Sequence, residues 1–519
     1  MGLLRSSATV GGFTMISRVL GFLRDILIAA LLGAGPVADA FFVAFKFPNF
    51  FRRLFAEGAF NAAFVPVFSG HLADGGPAAA RDFAERTLAV LLVVLLALLL
   101  AAEIAMPWLM YAMAPGFARD PDKFQLAVEF TRITFPYLLF ISVVSLMGAV
   151  LNSLGRFAAA AATPILLNLV LIGALLLAAP RLPTAGHALA WGLAVAGALQ
   201  FLWLAGACAR AGMALRLPRP ALGPEVKKLL RLMLPGAVGA GVVQINLVVD
   251  VILASLLASG SVSFLYYADR VNQLPIGVVG VAVGTALLPL LSRQLRAGET
   301  AAAADSQNRA IEFVLLLGLP AAAALMVIAP PIVAVLFERG AFGAAESRAT
   351  ALALAAYGAG LPAYLLIKVL APGFFAREDT ATPVKVGVAA MIANVAFNLI
   401  LMGPLGHVGI ALATSLSGWL NAGALAWLLG RRGYLAPDDR LRRRLPRTLL
   451  ASALLAGTLY LAQGALAPLF AASAGAAVLA LALLVGGGLA LFAVLAHLLG
   501  AARLGEIRGL IPRRRAGGA

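Results

Sequence analysis

Between Met15 and Arg53 the chain reads MISRVLGFLRDILIAALLGAGPVADAFFVAFKFPNFFRR, an apolar run that nevertheless holds Arg18, Arg24, Asp25, Asp39, Lys46, Arg52 and Arg53. A charge at bilayer depth is costly, so such side chains must face protein or water. Several of one sign indicate a hydrated cavity built for an anion. Arginine suits that task, because its planar fork binds phosphate oxygens bidentately and never loses its charge. Arg18 and Arg24 lie six positions apart on one helix, roughly 120° around its axis. They line one cavity only if it is wide or the helix bends, and Gly21 between them permits a bend. Arg52 follows on the next helix, and Arg270 opens a helix of the second half in YYADRVNQLP. The competing reading pairs each arginine with a neighbouring acid, for which Asp25, Asp39, Glu57 and Asp269 are available. Asp39, just after GAGPVA, reads equally as a gate residue or as a helix N-cap. Lys368, deep in YLLIKVLAPGF, is placed to reach the same cavity.

A second constellation is of oxygen donors. Asp250 sits in the middle of QINLVVDVILASLL, Asn394 and Asn398 share one helix face at i,i+4, and Thr414 lies on the following helix. Carboxylate, amide and hydroxyl oxygens are the ligands of a hard cation, and Na+ is a common coupling ion of transporters. Interhelical hydrogen bonding that holds a bundle together is the alternative. The histidines are scattered near segment ends, and neither a Ser/His/Asp set nor paired carboxylates occur at depth, so the chain does not read as an enzyme. No G-x-x-x-x-G-K-[ST] loop is present, and any transport is not driven by an ATPase within this chain.

The elements that carry these residues are membrane helices. Of 519 residues 62% are hydrophobic and 12% charged, a composition outside the soluble globular range. Fourteen apolar segments are predicted, making an all-α polytopic membrane protein. The net charge of +17 does not indicate nucleic acid, because Lys and Arg concentrate in alternate loops. About 27 of the 40 fall on one side, which is then cytoplasmic and holds both termini. The lone cysteine, Cys208, excludes an internal disulfide.

An internal repeat divides the chain. Arg156 precedes Thr163-Pro164, Arg377 precedes Thr382-Pro383, and each pair is followed by a long apolar helix bearing Asn. FVPVFS at 64–69 and LLPLLS at 287–292 form a second pair with the same offset of six helices. An even offset makes a parallel repeat, with two six-helix halves at 1–215 and 222–432, two further helices at 445–502 and a tail at 503–519.

SRVLGFLRD, ADAFFVAFKFPNFFRRLFAEGAFNAAFVP, ITFPYLL, LNSLGRF, ASGSVSFLYYADRVNQLPIGVVGVAVGTALLP and KVLAPGFFAREDTATPVK resemble the MurJ (MviN) family of bacterial lipid II flippases, of the multidrug/oligosaccharidyl-lipid/polysaccharide exporter superfamily. The resemblance implies two six-helix lobes around a central cavity, with two C-terminal helices forming a groove for the polyprenyl tail. It implies that Arg18, Arg24, Arg52 and Arg270 bind the substrate diphosphate, with Asp39 also important. It places a sodium site, described in some members, on Asp250, Asn394, Asn398 and Thr414 with the Ile410 carbonyl. The expected activity is alternating-access transfer of lipid II across the bacterial inner membrane for peptidoglycan synthesis. Membrane lipids and cell-wall synthesis proteins are the expected partners, and no cofactor is required beyond that Na+. A multidrug/cation antiporter of the same superfamily is the alternative; it would need acids rather than arginines in the first lobe.

Overall fold

The computed structural model describes residues 3–51 and 60–502. Arg52 and the tail at 503–519 lie outside the described residues. The helices are α1 (Leu3–Leu32), α2 (Pro36–Phe51), α3 (Phe60–Met113), α4 (Pro121–Thr134), α5 (Tyr137–Ser153), α6 (Phe157–Gly173), α7 (Ala185–Arg210), α8 (Pro224–Ser255), α9 (Ser261–Arg296), α10 (Thr300–Val327), α11 (Ala329–Phe337), α12 (Ala344–Phe375), α13 (Ala381–Leu405), α14 (His407–Arg431), α15 (Asp439–Ala465), α16 (Ala467–Ala472) and α17 (Ala474–Leu498). No strand is present among the described residues. Ten described helical stretches are long and apolar enough to cross a bilayer. Helix α1, interrupted by Arg18, Arg24 and Asp25, is not among them. Of the four segments that separate this count from fourteen, three lie on α1, α8 and α9, and one is merged into α3, where Gly76 breaks the helical dihedrals (φ 70°, ψ −170°) and divides the element into two limbs.

Helix starts follow the local sequence. Asp120, Thr184, Asp438 and Ser473 each accept a backbone N–H from the first turn of α4, α7, α15 and α17, which satisfies donors the helix cannot. Phe60, Phe64 and Phe68 recur every fourth residue, so they share one face of α3. Their rings stack at 5.1 and 5.5 Å, and Phe64 stacks on Phe83 of the limb beyond Gly76 at 5.5 Å.

The chain forms two compact units. The first takes the described residues up to Ser263 together with Arg339–Gly343; the second takes Phe264–Glu338 and the described residues from Ala344 onward. The boundary between the units falls inside the first turn of α9, and α8 packs on α3. Gly116, just after α3, makes that packing close: its N–H donates to Ser255 Oγ at 3.2 Å, and a Cβ there would lie 2.0 Å from the Ser255 carbonyl oxygen.

The short segment 339–343 joins the first unit with a backbone hydrogen bond. The N–H of Ala341 donates to the Ala30 carbonyl at 2.8 Å. Gly33 and Gly340 both have positive φ (66° and 59°), and a Cβ on either would sit 2.4 or 2.2 Å from the facing carbonyl oxygen. Gly155 shares the positive φ (74°) but has open space around it. Gly155→Ala is therefore expected to cost about 1 kcal/mol from backbone strain, and Gly340→Ala about 3 kcal/mol or more, since a collision adds to the same strain. Thermal unfolding of the purified protein in detergent checks the order; equal midpoints would contradict it.

Candidate functional site

In the first unit, α1 is helical without a break through Gly21. Gly21 is a contact position: a Cβ on it would touch the Asn168 amide at 3.5 Å. The two arginines of α1 consequently meet different surroundings. Arg18 is exposed, whereas Arg24 is 6% exposed. The Arg24 guanidinium donates to Asp25 Oδ1 through Nε and Nη2 (3.0 and 2.7 Å) and to Asn168 Oδ1 of α6 through Nη1 (2.9 Å). Asn168 is itself oriented by donating to the Ser17 carbonyl at 2.9 Å. A guanidinium has five N–H groups, so these bonds leave two for a ligand. The ring of Phe45 on α2 lies 5.8 Å from the charge. Pairing with a neighbouring acid therefore holds for Arg24, within a frame that leaves it able to bind an anion.

Asp39 is 1% exposed, and its carboxylate is fully engaged. Oδ2 accepts from Lys123 Nζ and from the Gly260 N–H, both at 2.7 Å. Oδ1 accepts from the N–H and the hydroxyl of Ser263 at 2.9 and 2.6 Å. Asp39 belongs to α2 and caps the start of another helix, α9, rather than its own. Lys123 was missed from sequence, since nothing in PDKF distinguishes it from a surface lysine. It also donates to Ser259 Oγ at 3.2 Å and lies over the Phe117 ring at 4.2 Å. Lys46 is half-buried on α2.

In the second unit Arg270 is half-buried on α9, where Nη2 donates to the Tyr266 hydroxyl at 2.9 Å and the guanidinium lies 4.7 Å from that ring. Lys368 of α12 is exposed, and its methylenes cross α9 at Gly280, where a Cβ would be 2.6 Å from Lys368 Cδ. Ten residues of helix, about 15 Å, separate that crossing from Arg270.

Asn394 and Asn398 are both fully buried. Asn398 donates to Asn394 Oδ1 at 3.0 Å, and Asn394 to Ser417 Oγ at 3.4 Å. The Thr414 hydroxyl donates to the Ile410 carbonyl at 2.8 Å, and Tyr364 donates to the Thr414 carbonyl at 2.7 Å. These bonds knit α12, α13 and α14 together. Asp250 is half-buried on α8, in the first unit.

Outside the spans, the repeat motif around Thr382 forms a tight turn. The Thr382 hydroxyl and N–H donate to Asp379 at 2.7 and 2.9 Å, and Arg432 also binds it. Together they hold its carboxyl down at about 2.

A family model described as "Lipid II flippase MurJ" matches residues 28–481. A probable lipid II flippase MurJ of Rhizobium tropici is 45% identical over 524 residues, covering 99% of this chain and 98% of the relative. That of Rhizobium meliloti strain 1021 is 46% identical over 519 residues, with 99% and 97% covered. The lipid II flippase MurJ of Burkholderia cenocepacia is 38% identical over 464 residues, with 89% and 90% covered. Among solved structures, a lipid II flippase MurJ in an inward closed conformation superposes with a TM-score of 0.79 at 24% identity, over 94% of this chain and 98% of the other. An inward-facing MATE-family multidrug transporter gives 0.69 at 15% identity, over 82% and 98%. At these identities the structural likenesses establish the fold.

Removing one member of the Asp39–Lys123 pair leaves a buried charge, so Asp39→Leu and Lys123→Leu are each expected to cost about 3–5 kcal/mol. The double variant should recover part of the loss. Thermal unfolding of the three proteins measures the coupling, and strictly additive losses would show that the pair does not act as one.

Proposed function

As a member of the MurJ family of lipid II flippases, the chain moves lipid-linked peptidoglycan precursor across the membrane, and we propose that it does so by alternating access. The buried Arg24, braced by Asp25 and Asn168 with two N–H groups to spare, is the observation that carries this mechanism. A diphosphate docks there through charge-assisted bonds and takes over part of the attraction that Asp25 supplies in its absence. Arg270, polarised against Tyr266, and the exposed Arg18 offer further cationic contacts, as do Arg52, Lys46 and Lys368. The headgroup enters from the cytoplasm and leaves on the opposite side, while the polyprenyl tail stays in the bilayer along the helices of 445–502. The excess of Lys and Arg in alternate loops supports fourteen crossings in the inner membrane with both termini cytoplasmic. The repeat supports six-helix halves at 1–215 and 222–432.

The antiporter alternative needs acids in the first unit that are open to a cation. Among the described residues its two deeply buried acids, Asp25 and Asp39, are held by Arg24 and Lys123, which leaves the half-buried Asp250. Any charge carried across the potential contributes about 2.3 kcal/mol per 100 mV. The oxygen donors of Asp250, Asn394, Asn398, Thr414 and the Ile410 carbonyl match the chemistry of Na+, and we propose that ion as the coupling cation. Proteins of cell-wall synthesis that use the product are the proposed partners, with the surrounding membrane lipids.

Arg24→Ala and Arg270→Ala are each expected to abolish lipid II translocation, read as precursor accumulation after depletion of the host flippase, while the variants stay folded in the membrane. Full complementation by both would remove the diphosphate site. For the cation, translocation should depend on Na+ in the unmodified protein and lose that dependence in Asp250→Ala; a dependence that survives the substitution, or is absent from the start, counts against the sodium site.

A further inference from the structure

The first unit holds a cavity of about 400 Å³ between α2, α3, α5, α6 and α7. Its wall includes Asn49, Asn61, Asn152, Thr163 and Gln200 among apolar side chains, and among the described residues none that lines it is charged. Gln200, on α7, is 1% exposed. Its amide nitrogen donates to the Thr163 carbonyl at 3.0 Å. That acceptor fixes the orientation of the amide, because the reverse would oppose two oxygens. Gln200 Oε1 then has no hydrogen-bond partner among the described residues. A buried acceptor in this state calls for a donor.

The cavity adjoins the Arg24 frame along two helices. On α6, Thr163, Pro164 and Leu167 line it, and the next residue, Asn168, accepts from Arg24. On α2, Asn49 lines it and donates to the carbonyl of Phe45 at 2.7 Å, the residue whose ring faces Arg24. Along α2 the rise from Phe45, beside the guanidinium, to Asn49 in the cavity wall is about 6 Å. That step is comparable to one pyranose ring.

We infer that the cavity is a subsite for the N-acetylhexosamine bonded directly to the diphosphate, an inference that rests on the diphosphate being held at Arg24. Its volume lies within the range of small-ligand sites, and its mixture of apolar wall and a few amide groups is their usual composition. A sugar hydroxyl or acetamido N–H donates to Gln200 Oε1. The asparagine amides serve the remaining hydroxyls, and the apolar wall receives the C–H faces and the acetyl methyl. A neutral wall admits the sugar without competing with Arg24 for the anion.

The test uses the full chain in lipid nanodiscs and two probes: undecaprenyl diphosphate, and the same lipid bearing one N-acetylglucosamine. Gln200→Leu removes the acceptor. Asn152→Trp, at an exposed helix end, fills the cavity from its rim and serves if Gln200→Leu does not fold. Each is expected to raise the Kd of the sugar-bearing lipid about tenfold and to leave that of the bare lipid unchanged. Unchanged affinity for both lipids would mean that the cavity holds only water, and an equal loss for both would mean damage to the anion site; either overturns the subsite. Arg24→Ala is the separate check on the diphosphate reading and should weaken both lipids alike. The ratio of the two affinities decides the cavity, and the Arg24 variant decides the anchor.

Discussion

A charged group in a low-dielectric interior is tolerated only with a partner in good geometry, and this constraint shapes the first unit. Its two deeply buried carboxylates are held in different ways. Asp25 binds the arginine beside it on the same helix, and Asn168 fixes that pair to α6. Asp39 gathers groups from α4, from the turn at Gly260 and from the start of α9, so a single carboxylate fixes three segments far apart in sequence. The two arrangements differ in what they leave over. Around Asp39 both carboxylate oxygens are engaged twice. Around Arg24 two N–H groups remain, and a ligand can be accommodated.

The second unit relies on neutral polar contacts at depth and keeps its ionic network toward helix ends. Asn394, Asn398, Thr414, Ser417 and Tyr364 join three helices without a formal charge. Glu312 of α10 accepts from Arg309 and from Arg440 and Arg444 of α15, tying α15 to α10. Arg309 also pairs with Asp305 and Asp438, so three acids face three arginines and the cluster is balanced in charge.

Fold class was legible because apolar runs of membrane length leave few alternatives, and the family could be recognised from long ungapped motifs such as SRVLGFLRD. Arg24 was legible because a charge inside an apolar helix is conspicuous. Its partner Asn168 was not, since one asparagine in an apolar helix gives no sign of what faces it. Lys123 and Gln200 were invisible for the same reason: each is an ordinary residue whose importance comes from a contact distant in sequence. The repeat was visible at Thr163 and Thr382, yet the two do different jobs. Thr382 binds Asp379 at the start of α13, while Thr163 lies inside α6, with its hydroxyl on the Ala159 carbonyl and its own carbonyl on Gln200. Equivalent residues can start a helix in one half and line a cavity in the other, because the loop before α13 carries an acid and the loop before α6 does not.

At the joint between Ala30, Gly33, Gly340 and Ala341 the bond from Ala341 to Ala30 runs backbone to backbone, between two glycines that admit no Cβ. That bond itself contains no group that titrates and none with a formal charge. The neighbouring joint at Asp39 is ionic and answers to its electrostatic surroundings. Side-chain evolution can retune the ionic joint by small steps. At the backbone joint any side chain larger than hydrogen collides with a carbonyl, so that contact is either kept whole or lost.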